Sequence, residues 1–155
     1  MFELLFNAGV NSENIQDKEG NNTLLMATRL GLTKVVKNLL NNGANINERN
    51  NNKSTALISA SHKNNKELVK ILLEYKPNFN TLNNKGWSAL KIACRKHQTK
   101  EIVELLINAG ADINQISKIN DKIENVTPLK VARWNQYENI NSIEEFLKSK
   151  GGIVI

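Results

Sequence analysis

Ala27, Ala60, Ala93 and Ala132 fall at intervals of 33, 33 and 39 residues, and the chain around each alanine returns to one pattern. A leucine stands three residues earlier (Leu24, Leu57, Leu90, Leu129). A β-branched residue with an aliphatic or aromatic pair follows about ten later: Val36, Leu39, Leu40; Val69, Leu72, Leu73; Val103, Leu106, Ile107; Ile143, Phe146, Leu147. A period near 33, made of a short helix, a turn, a second helix and a Gly-containing loop, is a unit that cannot bury its apolar face alone. Only stacking on its neighbours completes a core. The repeat therefore predicts an all-α solenoid of helix-turn-helix units joined by short β-turn fingers, with no sheet beyond turn hairpins.

These residues resemble the ankyrin repeat family. The phrase Thr127-Pro128-Leu129-Lys130-Val131-Ala132 is close to the family's Thr-Pro-Leu-His-x-Ala, with weaker echoes at Thr55-Ala56-Leu57 and Ser88-Ala89-Leu90. The family's closing phrase is matched by Leu39-Leu40 with Gly43-Ala44-Asn45-Ile46-Asn47, and by Gly110-Ala111-Asp112-Ile113-Asn114. The signature histidine, which in the family ties neighbouring repeats by hydrogen bonds, is here Leu25, Ile58, Lys91 and Lys130. The apolar ladder is intact, but the polar ties between repeats are in doubt, and modest stability is expected.

At 155 residues and 40% apolar, the chain is long enough for one domain with a continuous core. One cysteine excludes an internal disulfide framework and suits a reducing compartment, so a cytoplasmic setting is expected. The N-terminus MFELLFNAGV lacks the charge and length of a secretory signal, and no apolar run approaches the roughly 18 residues of a membrane span. Asparagine is abundant, 26 of 155, mostly in expected turns where it tolerates left-handed backbone and bonds to its own chain. Codon bias accounts for the excess, and no function is placed on it.

The domain divides into a half repeat at 1–16 and repeats at about 17–49, 50–82, 83–125 and 126–150. In the half repeat Leu5, Phe6 and Gly9 match Leu39, Leu40 and Gly43. A self-association face and a plain frayed cap, or a cut from a longer array, both fit it. In the first full repeat Asp17-Lys18-Glu19-Gly20 makes the turn, Thr33 is expected to cap the second helix, and Gly43 to end it. The second repeat has Lys76-Pro77 where the first has Gly43-Ala44, a loss that should cost on the order of 1 kcal/mol if the backbone there needs positive φ, and its Lys53 and Asn64 also stand where the resembled family usually has glycine. The third carries an insertion, QISKINDKIEN at 115–125, whose Ile116, Ile119 and Ile123 suit one helical turn. In the fourth, Glu144, Glu145 and Lys148 are expected to face solvent, and Ile153-Val154-Ile155 to pack back on the last helix.

Chemistry is scarce. His62 and His97 alone make an incomplete metal site. Cys94 follows the packing Ala93, as a buried structural thiol would. Glu144-Glu145 is a solvated helix face, and the eight glycines are scattered without a phosphate-cradling motif. No catalytic residue, metal or cofactor is expected.

The resemblance implies a concave face made by the turn tips and the exposed side of each first helix. On it fall Arg29, Arg49, Asn52, His62, Lys63, Lys85, Trp87, Arg95, Lys96 and Trp134, the candidate partner-binding residues. Arg29, His62 and Arg95 repeat at the 33-residue period, flanked by Lys63, Lys96 and Arg133. With a formal charge of +6, this arrangement points to a basic stripe bearing an aromatic anchor. Function is expected to be non-catalytic binding of an acidic protein surface, as inhibitor or adaptor. The alternatives are an accessory domain or fragment of a larger ankyrin protein, and a nucleic-acid binder using the same stripe; low aromatic content and the lack of a nucleic-acid motif disfavour the last.

Overall fold

The computed structural model describes residues 15–95, 100–119, 122–124, 126–134 and 140–153. Among these, helices come in pairs: α1 (Thr23–Leu30) with α2 (Thr33–Asn41), α3 (Ala56–His62) with α4 (Lys66–Glu74), α5 (Ala89–Arg95) with α6 (Lys100–Asn108), and α7 (Pro128–Arg133) with α8 (Ile140–Ser149). The first helices stack in one row, α1 on α3 on α5 on α7, and the second helices in a looser row behind. The expected solenoid is the observed fold. The half repeat expected at 1–16 lies almost wholly outside the described residues, as do residues 96–99 with His97.

The packing follows from the periodic residues. Ala27, Ala60, Ala93 and Ala132 are all buried and let the first helices approach closely. Leu24, Leu57, Leu90 and Leu129 fill the space beside them, while Val36, Leu72, Leu106 and Leu147 carry the same cluster into the second row. Each short helix begins on a side-chain cap. Asn22, Thr55, Ser88 and Thr127 accept from the N–H three residues on, at 2.9, 3.3, 3.3 and 3.2 Å. Thr33 does not cap α2 as expected. The N-cap position is Leu32, without a side-chain bond, because the chain turns tightly from Gly31 straight into the helix.

The second repeat is built on strained backbone. Lys53, Asn64 and Lys76 have φ of 55, 56 and 50°, matching Gly20 (73°), Gly31 (76°) and Gly43 (87°) of the first repeat. Helix ends in the other repeats are closed by a backbone bond reaching back five residues: Ala44 to Leu39, Ala111 to Leu106 and Gly152 to Leu147, at 3.0, 3.0 and 2.8 Å. The corresponding residue here is Pro77, which has no N–H to give.

Two expectations about the C-terminal part are corrected. The insertion forms no helical turn but an antiparallel hairpin, β1 (Ser117–Ile119) with β2 (Lys122–Glu124), in which Ile119 pairs with Lys122. The isoleucine spacing spans too short a run to hold a helix against this strand pairing. Of the tail expected to pack back, Val154 and Ile155 lie outside the described residues, and Ile153 is held by its backbone. Ile153 N–H donates to Asn114 Oδ1 at 2.9 Å and its carbonyl accepts from Thr127 Oγ1 at 2.8 Å, while its side chain is exposed. Glu144 is also not a solvated carboxylate: Arg133 and Lys148 both bond its Oε1, and these cations hold its carboxyl below the usual range.

Candidate interaction groove

Three fingers project from the first three repeats, and each is shaped by one side chain at the same place. The Oδ1 of Asp17 accepts the N–H groups of Glu19 and Asn21, both at 2.9 Å. Asn50 does the same for Asn52 and Ser54, and Asn83 for Lys85 and Trp87, at 2.9–3.0 Å. Asparagine and aspartate suit this role because a short acceptor side chain can replace the missing backbone partner of a turn. The fingers then chain to one another. Asn51 N–H donates to Glu19 O at 3.0 Å, and Asn84 N–H to Asn52 O at 2.9 Å.

Between these fingers and helices α1, α3 and α5 lies a cleft of about 500 Å³. Seven of the ten expected residues line it: Arg29, Asn52, His62, Lys63, Lys85, Trp87 and Arg95. Arg49 does not. It lies flat along the finger bases, donating to Lys53 O at 3.2 Å and to Leu82 O at 2.7 Å, and so serves as a tie between repeats. Trp134 is exposed at the end of α7, away from the cleft lining, and Lys96 lies outside the described residues.

The charges in the cleft are not equivalent. Arg29 is bonded to Glu19, the one carboxylate among the lining residues, and the Asn21 carboxamide holds the same oxygen at 3.3 Å. Arg95 lies over the ring of Trp87, 5.2 Å from its centroid. Trp87 is half-buried against the core, with the Arg95 cation over its ring. A guanidinium can contact a carboxylate with two parallel N–H groups. Lys63 and Lys85 are exposed on opposite walls.

The groups considered for chemistry are placed as packing or surface residues. Cys94 is buried, and burial pushes its thiol far above the ordinary range, opposite to what a nucleophile needs. His62 is exposed at the end of α3. Among the described residues no group of three or more His, Cys, Asp or Glu side chains could hold a metal ion, and no helix is long and apolar enough to cross a membrane.

Lys91, at one of the positions where the signature histidine is missing, is fully buried. Its ammonium donates to Ser117 Oγ at 2.5 Å, and Ser117 Oγ donates to Gly86 O at 2.6 Å, so a polar tie joins the first helix and the finger of the third repeat to the insertion. Burial lowers its pKa to about 8, opposed by the charge of Asp112. In the sequence the signal was faint: a lysine inside an otherwise apolar helix start, facing a serine 26 residues away.

A search of curated proteins finds no match to the chain. The family model for ankyrin repeats, in three copies, matches residues 24–117, from the start of α1 to the first residue of the hairpin. That stretch is well over half of the chain and contains the second and third fingers and all of the cleft lining except Glu19; the protein belongs to the ankyrin repeat family.

Proposed function

We propose that this protein is a non-catalytic binding module that takes an acidic segment of another protein into the groove of its first three repeats. Repeats of this family generally serve as protein–protein interaction modules and are typically without catalysis. The observation that carries the acidic partner is the lining of the cleft: Arg29, Lys63, Lys85 and Arg95 against the single carboxylate of Glu19. Cations so placed speed association with an acidic partner, and the desolvated aromatic governs dissociation. The Arg95–Trp87 pair is the expected hot spot, since it sets a cation over a large aromatic ring.

The test is stopped-flow binding of a fluorescein-labelled oligoglutamate peptide to the whole chain over a salt series. Arg95→Glu is expected to slow association, and Trp87→Ala to cost about 2 kcal/mol of affinity with faster release. Charge reversal at Lys37 and Lys70, both exposed on the second helices, should do much less. If the rear-face changes abolish binding and the groove changes do not, the partner sits on the other side and the reading fails. Equal affinity for a single-stranded oligonucleotide would replace the acidic protein with a nucleic acid.

A further inference from the structure

The first and second fingers each have a neighbour on their outer side. The carbonyl of Glu19 is held by the amide of Asn51, and that of Asn52 by the amide of Asn84. The third finger carries Lys85 and Trp87, and at its outer side the regular succession of repeats is interrupted by the insertion. There the contact is made differently. The buried hydroxyl of Ser117, first residue of the hairpin, donates to the carbonyl of Gly86, the residue before Trp87, at 2.6 Å. Gly86 is buried with φ of 70°, and it closes the turn whose two ends are the Asn83 and Trp87 backbone bonds.

Lys91 decides the direction of that contact. A hydroxyl has one proton and can rotate it, whereas an ammonium has three donors and no acceptor. With Lys91 Nζ donating into Ser117 Oγ at 2.5 Å, the oxygen is engaged as an acceptor and its own proton is turned to the Gly86 carbonyl. Lys91 and Ser117 are both almost completely buried, so water does not compete for either group.

We propose that the insertion is a brace for the groove: Lys91 and Ser117 are positioning residues that clamp the third finger from its outer side and so fix Trp87, and the Arg95 stacked on it, in the binding geometry. The functional meaning of the brace rests on the groove reading above. The brace itself is a property of the unliganded chain and is read there.

The experiment uses the full chain carrying Trp134→Phe, which leaves Trp87 as the single tryptophan. Emission maximum and acrylamide quenching of Trp87 are measured for Ser117→Ala, Ser117→Thr and Lys91→Met, with melting followed by circular dichroism. Ser117→Ala and Lys91→Met are expected to shift the emission to longer wavelength and to increase quenching, and Ser117→Thr, which keeps the hydroxyl, to restore the parent values. Val103→Ala, a core truncation in α6, serves as the control that lowers stability without moving the Trp87 signal. A folded Ser117→Ala whose emission and quenching equal the parent's overturns the brace, even if its melting temperature falls. If Ser117→Ala does not fold, Lys91→Met is read by the same criterion. Titration with the oligoglutamate probe separates the two readings: a shifted Trp87 with unchanged affinity keeps the brace and removes the groove as the binding site.

Discussion

The carboxamide oxygen of Asn80 accepts the backbone N–H of Asp112 at 2.8 Å, across the boundary between the second and third repeats. The same bond occurs one period earlier, from Asn78 N–H to Asn47 at 2.8 Å, and one period later, from Ile153 N–H to Asn114 at 2.9 Å. Asn50 and Asn21 add a side-chain pair at 2.9 Å, and Tyr75 donates to Asn41 at 2.5 Å. The asparagines to which no role was given therefore replace the histidine ties that the sequence lacks. Asn47→Ala, Asn80→Ala and Asn114→Ala should each lose about 1 kcal/mol of stability in urea unfolding. Asn42→Ala, which breaks bonds only within its own helix turn, should lose less. Equal losses at all four sites would deny the ladder its role.

Backbone strain in the second repeat gives the opposite sign. Lys53→Gly and Lys76→Gly should each stabilise the domain, by up to about 1 kcal/mol, because φ of 55 and 50° burdens a side chain with a Cβ. Asn64→Gly should gain less, since asparagine tolerates this region better. A lowered urea midpoint for both lysine variants would show that the greater freedom of glycine in the unfolded chain outweighs the strain.

Lys91 makes stability depend on alkaline pH. Its folded pKa of about 8 lies below the ordinary 10.5, so between these values the unfolded chain binds more protons than the folded one. Stability attributable to this residue therefore rises with pH across that window, is complete above it, and is absent below pH 8, where a charge is held buried. The full span is about 3 kcal/mol. Lys91→Met removes the ionisation, and the wild type should gain on this variant by that order between pH 7.5 and 10.5 in paired denaturation curves. Parallel curves would mean that the ammonium is not desolvated.

Glu19 sits in the groove as an internal competitor for Arg29. Glu19→Gln should release that cation and raise the association rate with an oligoglutamate peptide by roughly two- to fivefold at low salt, with the gain shrinking as salt rises. Its cost in folding stability should stay below about 1 kcal/mol, since both side chains are largely exposed. An unchanged or slower association would show that Arg29 takes no part in capture.

The places where the sequence was misread share one physical origin. Thr33 looked like a cap because threonine prefers that position, but the tight turn from Gly31 leaves Leu32 there instead. The isoleucines at 116, 119 and 123 had helical spacing over too short a run, and the strand pairing of Ser117–Ile119 with Lys122–Glu124 prevailed. Glu144 was assigned to solvent from its position in the repeat, yet it is bonded by Lys148 and by Arg133, whose reach no linear pattern records.

What the sequence alone determined is whatever repeats or is local. The 33-residue period places the alanine and leucine columns, the glycines mark the left-handed positions, and the apolar skeleton has one way to be buried, by stacking. Seven of the ten expected residues line the cleft, because residues one period apart become neighbours on one face. The tertiary structure decided which of those residues are engaged and by what: Arg29 by Glu19, Trp87 by Arg95, Arg49 by the carbonyls beneath it, and Lys91 by a hydroxyl in the hairpin. Each of these depends on a single long side chain meeting a partner 4 to 33 residues away, a matter of rotamer and reach that stacking alone leaves open.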